Sequence, residues 1–246
     1  MKEKRELLKA TEWTSYNFKE TDQSQGMKSP PISKPYPSDG IVIDLPKPEN
    51  WAWEIDMGFT EATLNRQSCR QYSGKELSMN ELSYLLWSTQ AIRKRINDAT
   101  SKRFVPSAGS RHALETYLAV INIENLKQGI YRYLPEEHRL LFIYKPENFL
   151  EAVTAAAKGQ SFCARSNVVF YWSAIPYRME WRYAPASVKL ILLDAGHVCQ
   201  NLYLACEATG CGTCAIAAYD QKSADSLVKV DGEEEMVIYL APVGKK

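Results

Sequence analysis

The sequence predicts an α+β chain with one long apolar helix through its core. Three observations carry this prediction. Ser187 to Thr209 is apolar on nearly every side and ends at Gly210, which marks a helix running through the middle of the core. Val168 to Trp172 is a continuous apolar run of strand-forming residues, as a buried strand requires. The elements between and around them do not alternate strictly between strand and helix, which argues against a doubly wound parallel sheet.

Taken in order, the chain opens on a short charged helix from Lys2 to Glu12. Six of the 12 prolines then fall between Pro30 and Pro48, so this stretch cannot sustain a helix or an interior strand. It is expected to be an extended arm, either free or laid over another surface, and the globular body is expected to begin near Trp51. A helix follows through Phe59 to Asn65, then the polar run Arg66 to Ser73. Ser78-Met79-Asn80-Glu81 is a capping box, because the Ser hydroxyl and the Glu carboxylate can each satisfy a free backbone N–H, and Leu82, Leu85 and Leu86 follow at helical spacing. After a loop at Pro106 to Gly109, Tyr117 to Ile123 reads as a strand. Gly129 to Tyr133 and Leu140 to Tyr144, flanking Pro135-Glu136-Glu137, read as a hairpin. Pro146 to Lys158 reads as a helix with Pro near its start and Gly159 at its end. Ala215 to Ala218 and Met236 to Leu240 read as short strands that close the order.

Composition excludes several classes of function. Lys+Arg 30 against Asp+Glu 29 leaves a net charge of +1, too little for a global field that holds nucleic acid or an anionic membrane. The N-terminal segment has no apolar stretch of signal-peptide type, and Leu190 to Ala208 is interrupted by Asp194, His197, Gln200, Asn201 and Glu207. A cytoplasmic protein that does not cross a membrane is the expectation. The six Cys are scattered among apolar neighbours, which suits thiols in a reducing compartment.

Most motifs in the chain are better read as structure than as chemistry. Gly210-Cys211-Gly212-Thr213-Cys214-Ala215 fits a loose dinucleotide pattern, yet it follows a helix where that fingerprint follows a strand. Cys206, Cys211 and Cys214 have an iron–sulfur spacing with no fourth Cys downstream. His112, His138 and His197 form no metal-binding pair, and no metal is expected. Asp194, His197 and Asn201 form one polar stripe on the long helix, better suited to knitting neighbouring elements than to catalysis.

What remains suits a flavin. Arg66, Ser68 and Arg70 place two guanidinium groups and a hydroxyl within five residues, a grip for a phosphate and a ribityl chain. Pro106-Ser107-Ala108-Gly109-Ser110 is a loop of small residues on which a flat ring could lie, and Val243-Gly244-Lys245-Lys246 offers another phosphate contact. Each alone is also a helix end, a turn and a charged tail. Their joint presence and order favour the flavin.

In these segments the sequence resembles the nitroreductase-like flavoproteins. Arg66-Gln67-Ser68-Cys69-Arg70-Gln71-Tyr72 is similar to that family's R-R-S-x-R-x-F opening. The resemblance continues through Leu82 to Trp87, Pro106 to Gly109, Gly129 to Tyr133, Leu193 to Leu202, Gly210 to Ile216 and Pro242 to Gly244. This order is that of the SagB-type branch, which includes the azoline-oxidising dehydrogenases of thiazole- and oxazole-forming peptide pathways.

The resemblance implies an α+β, nitroreductase-like mixed sheet flanked by helices, dimeric, with residues 1–50 as the arm and 51–246 as the FMN-binding domain. Two FMN sites would lie at a homodimer interface. Arg66, Ser68 and Arg70 would hold the phosphate, the ribityl chain and the N1/O2 edge. Pro106, Ser107, Ala108, Gly109 and Ser110 would come from the partner and pack on the ring, with Arg111 adjoining. Backbone groups at Ile216, Ala217 and Ala218 would sit near N5, and Lys245 or Lys246 would reach the phosphate. Cationic groups near N1 and N–H donors near N5 tune hydride acceptance, while FMN carries the redox chemistry.

The implied cycle is ping-pong, between NAD(P)H or an organic substrate and a quinone, nitro compound or modified peptide. Where the azoline dehydrogenases carry a Lys-Tyr pair before the long helix, this sequence has Arg182-Tyr183. A guanidinium stays charged in proteins and cannot serve as a general base, although Tyr183 could position a substrate or pass a proton. Ala217 also replaces a glycine common in the branch. The alternative is an FMN-binding partner subunit of a peptide-modifying assembly, with little turnover of its own and the proline-rich arm as its docking segment.

Overall fold

A computed structural model describes residues 3–51 and 56–246 of the 246 in the chain. In chain order the elements are α1 (Glu12–Ser15), β1 (Val42–Asp44), α2 (Phe59–Asn65), α3 (Met79–Gln90), β2 (Ile92–Asn97), β3 (Thr100–Arg103), β4 (Leu114–Val120), β5 (Gly129–Leu134), β6 (Arg139–Tyr144), α4 (Phe149–Ala156), β7 (Val168–Ala174), α5 (Tyr177–Tyr183), α6 (Ser187–Ala208), β8 (Cys211–Thr213), α7 (Gln221–Val228) and β9 (Met236–Lys245). The α+β class is as the sequence predicts.

Seven strands form one sheet in the order β1-β6-β5-β4-β7-β9-β8, and β2 with β3 form a separate hairpin. Neighbouring strands pair antiparallel throughout the large sheet. Among the described residues, parallel contacts are confined to the single bridges Ser68–Thr213 and Leu77–Ile123. Both faces of the sheet are covered, and the period of two shows in its central strands. Leu114, Leu118 and Val120 of β4 with Val168, Phe170 and Trp172 of β7 face a core completed by Leu82, Leu85 and Leu86 of α3 and by α6. Tyr117, Ala119, Val169 and Tyr171 face the opposite core, under Val153 of α4 and Ala224 and Leu227 of α7.

Helix α6 turns Ile191, Ala195, Val198, Cys199, Leu202, Ala205 and Cys206 inward, at the spacing of a helical stripe. Val188, Leu192 and Leu193 stay exposed in the single chain. The capping box at Ser78 forms in both halves: Glu81 N donates to Ser78 Oγ at 3.2 Å, and Ser78 N donates to Glu81 Oε2 at 2.8 Å.

Several elements differ from expectation. The charged N-terminal helix is a 3-10 stretch at Glu3–Leu8 followed by α1. Lys2 lies outside the described residues, and a segment this short, without a continuous apolar face, does not sustain one helix. β4 starts and ends three residues before the predicted strand, because the Asn167 carbonyl accepts from both Ile121 N and Asn122 N at 2.9 Å and ends the ladder. Ala215 to Ala218 is no strand; only Ile216 bridges to Leu240, and β8 lies immediately after Gly210 instead. The β2–β3 hairpin, α5 and α7 have no counterpart in the sequence reading.

The proline-rich stretch is laid over the sheet. β1 pairs with β6 inside it. Lys34 is bound by Glu235 and donates to Tyr117 Oη at 3.0 Å, while Arg132 donates to the carbonyls of Lys34 and Pro35 at 3.0 and 3.1 Å. Further toward the N-terminus, Gln23 N donates to Trp181 O, and the Trp13 ring meets that of Tyr183 edge-on at 5.7 Å. Among the described residues, no helix is long and apolar enough to cross a membrane.

Candidate functional site

The sequence-predicted site residues gather into two groups at opposite ends of α6. The first is built where α2 ends at its C-cap, Arg66, and the chain becomes extended. Cys69 N donates to Thr213 O at 2.8 Å, which fixes this segment beside β8. The close approach depends on Gly212, where a Cβ would lie 2.5 Å from Cys69 Cβ. Ser68 Oγ lies 3.0 Å from Tyr203 Oη, and Tyr203 Oη accepts from Ala215 N at 2.9 Å. The Tyr203 hydroxyl thus bridges Ser68 and Ala215, with either hydroxyl able to donate in the Ser68–Tyr203 bond. The Arg66 guanidinium lies over the Tyr203 ring at 5.4 Å, and Arg70 lies over Phe162 at 6.0 Å. Gln160, two residues before Phe162, donates to Ala218 O at 2.9 Å. Arg66 and Ser68 are thus tied through Tyr203 to one end of the Ala215–Ala218 segment, and Arg70 through Phe162 and Gln160 to the other. Tyr203, the principal intermediary, was missed by the sequence reading, because a lone tyrosine on an apolar helix carries no motif.

The other predicted members of this group are more constrained. Ile216 N donates to Leu240 O at 2.8 Å, so its amide is taken by the sheet, while Ala217 and Ala218 are exposed. The Lys245 ammonium is bound by Glu81 and donates to Thr209 O at 2.9 Å. Lys246 pairs with Glu207 at 2.6 Å, its Cε 3.3 Å from the point a Gly212 Cβ would occupy. Lys245 meets the same stretch through its backbone, its carbonyl accepting from Ser73 N at 2.9 Å, whereas Lys246 brings its side chain beside Cys69.

The second group is the loop from Pro106 to Ser110. Ala108 N donates to Asp194 Oδ1 at 3.3 Å, and His112 N donates to Ser107 Oγ at 2.9 Å. Burial pushes the Asp194 carboxyl up, opposed by the bonds from Ser107 and Ala108. This places Asp194 as the loop's anchor on α6, the knitting role that the polar stripe predicts, and Asn201 donates likewise to Ser88 O at 2.8 Å. Gly109 has φ +57, and a Cβ there would lie 2.5 Å from Tyr183 Oη and 3.2 Å from Arg182 Nε. The loop therefore meets Arg182 and Tyr183, whose own rings and guanidinium stack at 5.5 Å. Arg111 does not face this surface. It is buried, donates to the carbonyls of Arg178 and Ala99 at 2.9 Å each, and lies over the Trp181 ring at 4.8 Å.

Asp194 and Tyr203 are nine residues apart, which on a helix is roughly 13 Å of rise and half a turn in azimuth. One chain therefore presents the arginine group and the small-residue loop on opposite faces. The buried thiols of Cys211 and Cys199 are pushed up to about 11 and about 12, chiefly by desolvation, and stay protonated near neutrality.

Known proteins share this chain's pattern. The model of the Nitroreductase family matches residues 63–245. A protein of Methanocaldococcus jannaschii named as a nitroreductase is 29% identical over 208 residues, covering 85% of this chain and 98% of its own. The trifolitoxin-processing protein TfxB of Rhizobium leguminosarum bv. trifolii is 28% identical over 133 residues, 52% of this chain and 36% of its own. Among solved structures, a chain from Ralstonia eutropha named as a nitroreductase superposes with a TM-score of 0.68 at 21% identity, covering 89% of this chain and 98% of that one. One from Anabaena variabilis gives 0.62 at 25% identity, over 75% of this chain and 37% of that one. The Escherichia coli microcin synthetase McbBCD complex gives 0.63 at 18% identity, over 81% and 76%. This chain thus spans little more than a third of the trifolitoxin-processing and Anabaena chains. With three quarters of its length inside the family match, an α+β fold shared with these structures and its arginine segment seated beside the strand that follows the long helix, the chain belongs to the nitroreductase family.

Proposed function

We propose that the protein is an FMN-dependent oxidoreductase that alternates two half-reactions at one flavin face, as a homodimer with two sites at its interface. Proteins of the family are generally FMN-dependent oxidoreductases and typically homodimers. The observation that carries the reading for this chain is the link Ser68–Tyr203–Ala215, because it sets Arg66 and a hydroxyl beside the segment in which Ala217 and Ala218 are exposed, with Arg70 four residues on over Phe162. That donor set fits the cofactor: guanidinium groups match a phosphate in charge and planar geometry, and N–H groups suit the heteroatom edge of a ring.

When bound, FMN supplies hydride acceptance and donation. Arg66 and Arg70 bind and neutralise the phosphate end, and Ser68, oriented by Tyr203, bonds the ribityl chain. The amides of Ala217 and Ala218 would serve the ring edge, since that of Ile216 is engaged by Leu240. Lys246, paired with Glu207, would stand near the phosphate end. The Pro106–Ser110 loop serves the partner's site, because it lies on the opposite face of α6 from its own chain's arginine group. In that position it covers the ring and excludes water, with Gly109 leaving room for Tyr183 to orient a substrate. Arg182 holds the Tyr183 ring and contributes charge, not proton abstraction.

The donor is NAD(P)H or an organic substrate, and the acceptor a quinone, a nitro compound or a modified peptide. The match to the trifolitoxin-processing protein favours the SagB-type branch, and with it a second reading, an FMN-binding partner subunit of a peptide-modifying assembly. The deciding experiment is the absorption spectrum of the purified protein, with the cofactor identified after acid release. A flavin spectrum with released FMN is expected; a colourless protein that FMN does not reconstitute overturns both readings. Steady-state turnover with NAD(P)H and a quinone or nitroaromatic acceptor then separates them, because the partner subunit holds flavin without appreciable turnover.

A further inference from the structure

The β2–β3 hairpin has no part in the reading above, yet it carries an unusual charge. From Ile92 to Arg103 it holds Arg93, Lys94, Arg95, Lys102 and Arg103 against a single acidic residue, Asp98. Arg95 is neutralised by Asp98 at 2.8 Å and Glu136 at 3.0 Å. Among the described residues, Arg93 and Lys102 have no carboxylate partner, and both are exposed. Charge on an isolated hairpin commonly protects its edges from pairing with other chains. That accounts for cations on open surface, but Arg93 and Lys102 line a concavity.

The cleft, of about 340 Å³, lies between the hairpin and the Pro106–Ser110 loop. Its polar lining is Arg93, Lys102, Arg103, Ser107, Ser110 and His112, and no acidic side chain lines it. Arg103 is 5% exposed. Its guanidinium donates to Gln90 Oε1 at 2.6 Å, Leu114 O at 3.3 Å and Ile32 O at 3.4 Å, all neutral acceptors, and its Nε has no hydrogen-bond partner. The nearby carboxylate Glu115 is ion-paired to Arg178 at 2.7 Å and also feels Arg103 and Arg132, so three cations share its single negative charge. The cleft is therefore positive at its base and at its rim, with two flexible cations free to close on a guest.

We infer that this cleft binds a phosphate group of the reducing substrate and so selects a phosphorylated nicotinamide dinucleotide, NADPH, over NADH. The inference rests on the proposed flavin function, for it is the shared loop that brings the cleft to the ring. A phosphomonoester carries close to two negative charges and three acceptor oxygens, which match two guanidinium groups and an ammonium; a single carboxylate leaves charge uncompensated. The volume is at the lower end for a small-molecule site, enough for the phosphorylated end of a dinucleotide whose nicotinamide lies elsewhere.

Equilibrium binding of NADP⁺ and NAD⁺ by titration calorimetry tests this without turnover. The purified dimer is expected to bind NADP⁺ about tenfold or more tightly than NAD⁺, in keeping with charge-assisted contacts. The double variant Arg93→Ala/Lys102→Ala is expected to bind the two alike, and Lys102→Glu to reverse the order. Circular dichroism checks that each variant is folded. Inorganic phosphate competing as well as NADP⁺ would reduce the site to one for free phosphate and overturn the substrate assignment. Equal affinities in the unmodified protein, or a preference that survives the double variant, overturn the inference outright. FMN content, measured on the same samples, separates this from failure of the flavin reading. Yellow protein without a preference loses the phosphate site, and colourless protein with one loses the flavin.

Discussion

At the residue scale, Arg66 and Arg70 lie over aromatic rings and, among the described residues, pair with no carboxylate, which leaves their N–H groups available to an anion. Replacing both by Ala removes two charge-assisted contacts of about 1.5–3 kcal/mol each and is expected to weaken FMN binding at least about a hundredfold. Fluorescence titration of the apoprotein measures this, and stoichiometric FMN in the double variant contradicts the assignment. His112 makes a different kind of prediction. Burial, reinforced by Arg103, pushes its imidazole down to about 3 from an ordinary value near 6.5. The unfolded chain therefore binds the extra proton first, and stability falls as pH drops from about 6.5 toward 3, by at most about 1.4 kcal/mol per pH unit. Above pH 6.5 the group contributes no pH dependence. His112→Asn, which tolerates the positive φ of 45° at this position, is expected to flatten the thermal-stability profile between pH 6.5 and 4.5. An unchanged profile would assign the acid sensitivity elsewhere.

Among the elements, α3 and α5 show the contrast between local and long-range control. The Ser78 cap on α3 is a purely local device, and Ser78→Ala is expected to cost about 1 kcal/mol in chemical denaturation, with no change in flavin content. Helix α5 depends on distant partners: Trp13 against Tyr183, Gln23 and Met27 on Trp181, and Gly109 beneath the Tyr183 hydroxyl. It also carries the departure from the azoline dehydrogenases. Because Arg182 cannot accept a proton, oxidation of thiazoline or oxazoline peptides is expected to be slow or absent, whereas hydride traffic to a quinone or nitro compound needs no base there. Arg182 is exposed in the single chain, so Arg182→Lys restores an amine that only a covering partner or substrate could desolvate. It is expected to leave quinone reduction little changed and at most to raise azoline oxidation. Efficient azoline oxidation by the unmodified protein would transfer the base to Tyr183 or to another group.

For the whole molecule, the decisive feature is the placement of the arginine group and the small-residue loop on opposite faces of α6. Under the proposed function, a complete site then requires a second copy. The exposed Val188, Leu192 and Leu193, at 46%, 58% and 52% of full exposure, supply an apolar face along the N-terminal half of the helix, turned away from Asp194. Leu192→Glu is expected to shift the protein toward monomer in sedimentation and to lower FMN occupancy in parallel. Across a dilution series of the unmodified protein, flavin release is expected to track dissociation. A flavin-saturated monomer would separate the two properties and place the loop against its own chain's ring.

What the amino-acid sequence determined by itself is whatever depends on neighbours a few residues away. The capping box at Ser78, the helix at Phe59–Asn65, the chain reversal between Leu134 and Arg139 and the buried run at Val168 were all legible, because spacing and turn chemistry act locally. The arginine segment, the Pro106–Ser110 loop and the lysine tail were legible as motifs, but not in their partners. Only the tertiary structure decided that Ser68 is oriented by Tyr203, 135 residues away, that Lys245 is held by Glu81, and that Ile216 gives its amide to Leu240. It also decided that the cations of the β2–β3 hairpin line a cleft beside the loop. The physical reason is that hydrogen-bonding groups and charges choose partners by distance in space. That distance is set by how the sheet and α6 pack, and no periodicity along the chain encodes it.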